Sequence, residues 1–203
     1  MADPGVQAAA GQVVARGPGG MPADMPGWMS GPIAIIDGMN RIIGRIVSWL
    51  TVPLMIAMVF EVVVRKTLTP TIWAYDISRM LYGAMFMLGA AYGLSRGVHI
   101  RSDFLYRDWP VRRQGLVDAL LYIVLFFPTM IVFLFVSYGY AFKAVSEWER
   151  GMETAWMPYL GPIKSCIPAA VLLLILQGVS ELLKSLYAAR TGRWPTDAGS
   201  TQT

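Results

Sequence analysis

Apolar residues in this chain gather into four long runs separated by short charged segments. The first, IVSWLTVPLMIAMVFEVVV (Ile46 to Val64), is interrupted only by Pro53 and by Glu61 near its end. The second extends from about Ile77 to Ser95, and the third, Ala119 to Phe142, carries no charge. The fourth is centred on SCIPAAVLLLILQGVSELL, Ser165 to Leu183, and begins near Leu160. A helix crossing a bilayer needs about twenty mostly apolar residues, and its backbone must satisfy its own hydrogen bonds there. The pattern therefore predicts an all-α membrane protein with four transmembrane helices, at about 46–64, 77–95, 119–142 and 162–183, within a domain covering 32–190. Pro53, Pro128 and Pro168 fall inside these runs and predict kinks.

Amphipathic interfacial segments flank this core. Ile35, Ile36, Met39, Ile42, Ile43 and Ile46 recur at helical spacing, with Asp37, Asn40, Arg41 and Arg45 on the other face. That predicts a helix lying along the membrane surface or extending the first span. In HIRSDFLYRDWPVRRQG, Ile100, Phe104 and Leu105 alternate with Arg101, Asp103, Arg107 and Asp108, which suits a surface-lying turn or short helix with Trp109 at headgroup level. Residues 1–31 are rich in Gly, Pro and Ala without the basic-then-apolar order of a signal peptide, and read as a flexible N-terminal tail. Residues 191–203 read as a flexible C-terminal tail.

Composition agrees: 55% of the 203 residues are hydrophobic, only 15% are charged, and the mean hydropathy is +0.49, too apolar for a soluble domain of this size. The net charge of +4 does not imply nucleic acid, because the basic residues sit beside the apolar runs rather than in a basic domain; they read as topology signals and lipid-headgroup contacts. Of the 17 Lys and Arg residues, 11 lie before the first span, between the second and third, or after the fourth. The excess of basic residues on cytoplasmic loops then places both termini, and the loop holding His99, in the cytoplasm.

Ionisable side chains avoid the span midpoints, near Met55, Met87, Met130 and Leu173. A charge at the bilayer centre is costly and by default functional, so the chain offers no proton relay or carboxylate ion site of its own. Glu61 and Arg65 stand four apart and Asp76 and Arg79 three apart, giving either two local ion pairs or one cluster locking the first two spans together. Gly83, Gly89, Ala90 and Gly93 form a small-residue face on the second span that permits close approach of another helix, within the chain or from a second subunit. Glu61 is a further interface candidate. Trp73, Trp148 and Trp156 suit an interfacial aromatic belt. One histidine, His99, and one cysteine, Cys166, cannot build a protein-only zinc site, and no phosphate-binding loop is present.

Three classes of protein remain. A haem-bearing anchor of a redox enzyme would need axial histidines from facing helices, which a single His99 does not supply. A self-sufficient homodimeric exporter would need an intramembrane acid, for which only Glu61, late in its span, is a candidate. A structural subunit of a larger transporter needs neither.

The stretch VVVRKTLTPTIWAYDISRMLYGAMFMLGAAYGLSRGVHIRSDFL, residues 62 to 105, resembles the small membrane subunit (the DctQ-like permease) of tripartite ATP-independent periplasmic (TRAP) transporters. The matching positions are Arg65, Trp73, Asp76 with Arg79, the run Leu88 to Gly93, Gly97, His99, Arg101 and Asp103. ETAWMPYLGPIKSCIPAAVLLLILQG, from Glu153, is similar to the family's last span and the approach to it, with Trp156, Pro158, Lys164 and Pro168 in place. The resemblance covers roughly residues 34 to 187; Asp76 where many relatives have glutamate, and the long N-terminal tail, depart from it. It implies a non-catalytic scaffold subunit in the bacterial inner membrane. Its partners would be a large DctM-like subunit, which holds the substrate and sodium sites and moves as an elevator, a periplasmic solute-binding protein that delivers organic acids, and membrane lipids. No cofactor is implied for this chain, and His99, Arg101 and Asp103 become a cytoplasmic helix end and headgroup-level anchor.

Overall fold

The computed structural model describes residues 25–67, 69–96 and 109–195. Every regular element among them is helical: α1 (Gly27–Ser48), α2 (Thr51–Thr67), α3 (Ala74–Ser95), α4 (Val111–Leu121), a π-helical turn (Tyr122–Phe126), α5 (Phe127–Ser146) and α6 (Gly161–Thr191). The sole departure is one antiparallel bridge between Arg150 and Tyr159. Three stretches are long and apolar enough to cross a membrane: Gly27–Thr67, Val111–Ser146 and Gly161–Thr191. The helix α3, expected as the second span, has 22 residues but falls outside that group, because Asp76, Arg79 and its glycines and tyrosines dilute its hydropathy.

The prolines act locally. Pro53 has no N–H for the Trp49 carbonyl, which instead accepts from Val52 N at 3.1 Å, and the α1–α2 junction tightens through Trp49 N to Ile46 O (3.1 Å) and Leu50 N to Val47 O (3.0 Å). Ahead of Pro128 the helix widens into the π turn, where the Phe127 N–H reaches back to the Tyr122 carbonyl. Pro168 lies within α6, which continues through it for 31 residues. The helix ends at Gly192, whose left-handed φ of 75° lets its N–H cap the Ala188 carbonyl at 2.8 Å.

The axis of the bundle is α6, which touches α1, α3, α4 and α5, whereas α2 leans on α3. The amphipathic segment at Ile35–Ile46 extends the first span, as one of its two expected placements, but starts earlier than anticipated. The helix begins at Gly27, inside the stretch read as tail, because Met25, Met29 and Ile33 bury against Tyr187 and Leu183 of α6. Its polar face also differs: Asn40, expected to face outward, is only 1% exposed. Close helix approach occurs at glycines other than those the second span suggests. A Cβ at Gly115 of α4 would lie 2.7 Å from the Ser185 carbonyl oxygen and the Ala189 nitrogen of α6, while Gly44 sits against Tyr92 and Gly178 against Phe126.

Candidate functional site

Polar side chains concentrate at the two ends of α6. Near its C-terminal end, Gln177, Ser180, Glu181 and Lys184 recur three or four residues apart and so share one face of the helix. Asp37 and Asn40 share the facing side of α1 by the same rule. Lys184 Nζ stands 2.8 Å from both Asp37 Oδ2 and Glu181 Oε1. Gln177 Nε2 donates to Asp37 Oδ1 (2.9 Å) and Glu181 Oε1 (3.2 Å), and its carbonyl accepts from Asn40 Nδ2 at 2.7 Å. Ser180 Oγ donates to Asp37 Oδ1 at 2.8 Å. Asn40 Oδ1 is buried without a hydrogen-bond partner among the described residues. At about 1.5 Å rise per residue, Lys184 lies roughly 35 Å along α6 from Gly161, beyond a hydrocarbon core about 30 Å thick. The interlock can therefore hold α1 to α6 at a membrane boundary without placing its charges at the bilayer centre.

At the opposite end, the two acidic–basic pairs are each joined and belong to separate networks. Arg65 approaches Glu61 at 3.1 Å, and Glu61 also accepts from the Thr71 hydroxyl and from the Thr71 N–H (3.4 Å), which closes the connection from α2 to α3. Asp76, fully buried in the first turn of α3, accepts from the Thr154 hydroxyl and lies 4.0 Å from Arg79, which in turn pairs with Glu153. Lys164 Nζ sits 2.5 Å from Glu149 and 4.0 Å from the centre of the Tyr140 ring. These contacts strap the 147–160 connection onto α3 and α6. The Arg150–Tyr159 bridge reinforces it through Gly151 N to Pro158 O and Leu160 N to Glu149 O, both 2.9 Å. The Arg79 guanidinium hydrogen-bonded to Glu153 holds that carboxyl below the usual carboxylate range.

Two non-glycine residues in this strap, Trp148 (φ 51°) and Met157 (φ 46°), occupy the left-handed region, a backbone cost held in place by the surrounding contacts. Trp148 is 72% exposed with its ring against Tyr159, and Trp156 is also exposed. Trp73 precedes α3 and stacks on Phe60 at 5.7 Å.

Of the small-residue face on α3, Gly83 lies 3.6 Å in Cβ terms from Ile163, whereas Gly89 and Gly93 have no neighbour within 4 Å and Ala90 is half-buried. Ala91 and Leu94 are the side chains that α3 buries there. Gly97, His99, Arg101 and Asp103 lie outside the described residues. The interlock is the feature the hydropathy pattern missed. The signal that could have found it is the run of polar residues at one-turn spacing in QGVSELLKS, matched by Asp37 and Asn40.

Among the described residues, no group of three His, Cys, Asp or Glu side chains is placed to hold a metal ion. The charges serve to join helices and loops: this is a multi-pass helical membrane protein. Residues 54–187 match the family model for the DctQ component of tripartite ATP-independent periplasmic transporters, and the chain belongs to that family. It is a transporter small permease subunit, not an enzyme. It is similar to the sialic acid TRAP transporter small permease protein SiaQ of Vibrio cholerae serotype O1, with 27% identity over 131 residues, 62% of this chain and 76% of the relative. No solved structure matches the chain.

Proposed function

We propose that this chain is the scaffold subunit of a sodium-coupled TRAP transporter that imports organic acids. It stabilises and orients a large DctM-like membrane subunit, to which a periplasmic binding protein delivers substrate. Substrate and sodium ions bind the large subunit, and this chain has no substrate site of its own. The chain crosses the membrane four times with both termini cytoplasmic, α3 serving as the second span; its weaker hydropathy suits a helix covered by neighbours more than one bathed in lipid. The observation that carries the scaffold reading is the distribution of charge. Asp37, Glu181 and Lys184 lie at one end of α6, and Asp76, Arg79, Glu149 and Lys164 at the other, with no charged side chain near the span midpoints at Met55, Met87, Met130 and Leu173. A subunit that moves ions or acids itself would be expected to place such groups at mid-membrane. The acidic sugar in the relative's name fits the organic-acid class.

The test is uptake into proteoliposomes containing the large subunit and its binding protein, with and without this chain, under an imposed sodium gradient. Transport should require both the chain and the gradient. Full-rate uptake without this chain would refute the scaffold role, and gradient-independent uptake would refute sodium coupling. For topology, a cysteine at position 151 should react with an impermeant reagent from the periplasm and one at position 193 should not.

A further inference from the structure

Between the start of α6, the outer turns of α3 and the strap lies a groove of about 600 Å³, open on one side and of the size that small ligands occupy. Its apolar lining comes from Met80, Leu160 and Ile163, and its polar lining includes the strap residues Glu149, Arg150 and Glu153. The two acids are only half used. Glu149 engages Lys164, and Glu153 engages Arg79, each through Oε2, which leaves each Oε1 without a hydrogen bond among the described residues. Arg150 is exposed, and no carboxylate among the described residues pairs with it. The groove thus offers a free guanidinium fork beside two free carboxylate oxygens, above an apolar wall. The strap that lines it also carries the exposed Trp148 and Trp156, whose amphipathic rings favour the membrane–water boundary.

We infer that this groove binds the headgroup of a zwitterionic aminophospholipid, with the phosphate on Arg150 and the primary ammonium between Glu149 and Glu153. A phosphate diester matches the two-pronged guanidinium, and an ammonium with three N–H donors can use the two Oε1 oxygens. The acyl chains run along Met80, Leu160 and Ile163. A trimethylated choline headgroup has no N–H to donate, and a glycerol headgroup has no cation. The site therefore discriminates by headgroup chemistry rather than by charge alone.

The experiment is native mass spectrometry of the full-length chain in detergent, titrated with phosphatidylethanolamine, phosphatidylcholine or phosphatidylglycerol of identical acyl chains. Phosphatidylethanolamine should bind at least about tenfold more tightly than the other two, Arg150→Gln should weaken all three alike by removing the phosphate contact, and Glu149→Gln with Glu153→Gln should remove the preference, as expected for loss of charge-assisted contacts. Should the double variant lower the melting temperature, Glu153→Gln alone, at the more exposed of the two carboxylates, should still reduce the preference on a folded protein. Equal binding of the three lipids, an unchanged preference in the Glu149 and Glu153 variants, or unchanged binding of all three in Arg150→Gln, would overturn the assignment. Soluble glycerophosphoethanolamine separates the sources. Weak competition supports a membrane lipid as occupant, whereas displacement at concentrations equal to the lipid's would show that a soluble solute is recognised and sink the lipid reading.

Discussion

Replacing Lys184 by Met tests the α1–α6 interlock directly. Lys184 is 5% exposed at its side chain and bridges two carboxylate oxygens, each 2.8 Å from Nζ, so Asp37 Oδ2 and Glu181 Oε1 are at most twice that distance apart. Without the ammonium, two like charges at that separation repel by about 3 kcal/mol at an effective dielectric constant of about 20. Breaking a buried pair by removing one partner costs about 3–5 kcal/mol, and because Asp37 keeps 16% exposure the lower end applies. For a chain of this size, about 3 kcal/mol corresponds to a fall in Tm of roughly 6–12 °C. Cys166, the lone cysteine, is half-buried on α6, so a thiol-reactive fluorophore reports unfolding in detergent without an engineered cysteine. Adding Glu181→Gln to Lys184→Met relieves the repulsion, and the double variant should be less destabilised than the sum of the singles by 1 kcal/mol or more. A Lys184→Met melt within about 2 °C of the parent, or strict additivity in the cycle, would refute the interlock as a stabilising element.

Three further outcomes follow from the geometry. Gly115→Ala places a methyl 2.7 Å from α6 backbone atoms that cannot yield, and should cost about 1–3 kcal/mol by overpacking, whereas Gly89→Ala and Gly93→Ala, in open space, should leave the melt of the isolated chain unchanged or slightly raised; equal effects at all three would refute the assigned close approach. Thr154→Val removes the hydrogen bond to Asp76, whose other oxygen is already buried without one, and should destabilise by about 1–3 kcal/mol, measured by the same melt. Glu153 is held below its ordinary value of 4.5 by Arg79, so its contribution is complete above that value and is lost as pH falls through the depressed one. Tryptophan emission from Trp148 and Trp156 should therefore show a step on acidification that Glu153→Gln lacks, and a step that persists in the variant, or appears instead as pH rises, would contradict the strap.

Much of the architecture is legible in the chain because burial in lipid imposes a composition as well as a pattern. Long apolar runs, basic loops and prolines inside helices each answer to a local rule, and the apolar runs at Ile46–Val64, Ala119–Phe142 and Ser165–Leu183 lie inside the three membrane-length helices. The helix at Ala74–Ser95 was also locally readable, although its small residues suggested close approach at Gly89 and Gly93, where the structure leaves open space within the chain.

What a single-helix pattern could not supply is which faces meet. Asp37 and Asn40 look like a solvated stripe when α1 is considered alone, and Gln177, Ser180, Glu181 and Lys184 look like a polar helix end. Only their juxtaposition across a tertiary contact joins the two sets, since Asp37 Oδ1 and Asn40 Nδ2 each take partners more than 130 residues away in the chain. The strap is the same case: Asp76 and Arg79 encode a one-turn pair on their own helix, but their strongest partners, Thr154 and Glu153, arrive from a distant loop. Hydropathy and periodicity act over a turn or two and so determined the helices of this subunit, while the order of its short motifs carried the family resemblance. The pairing of charges acts through space, and tertiary structure alone decided where they meet.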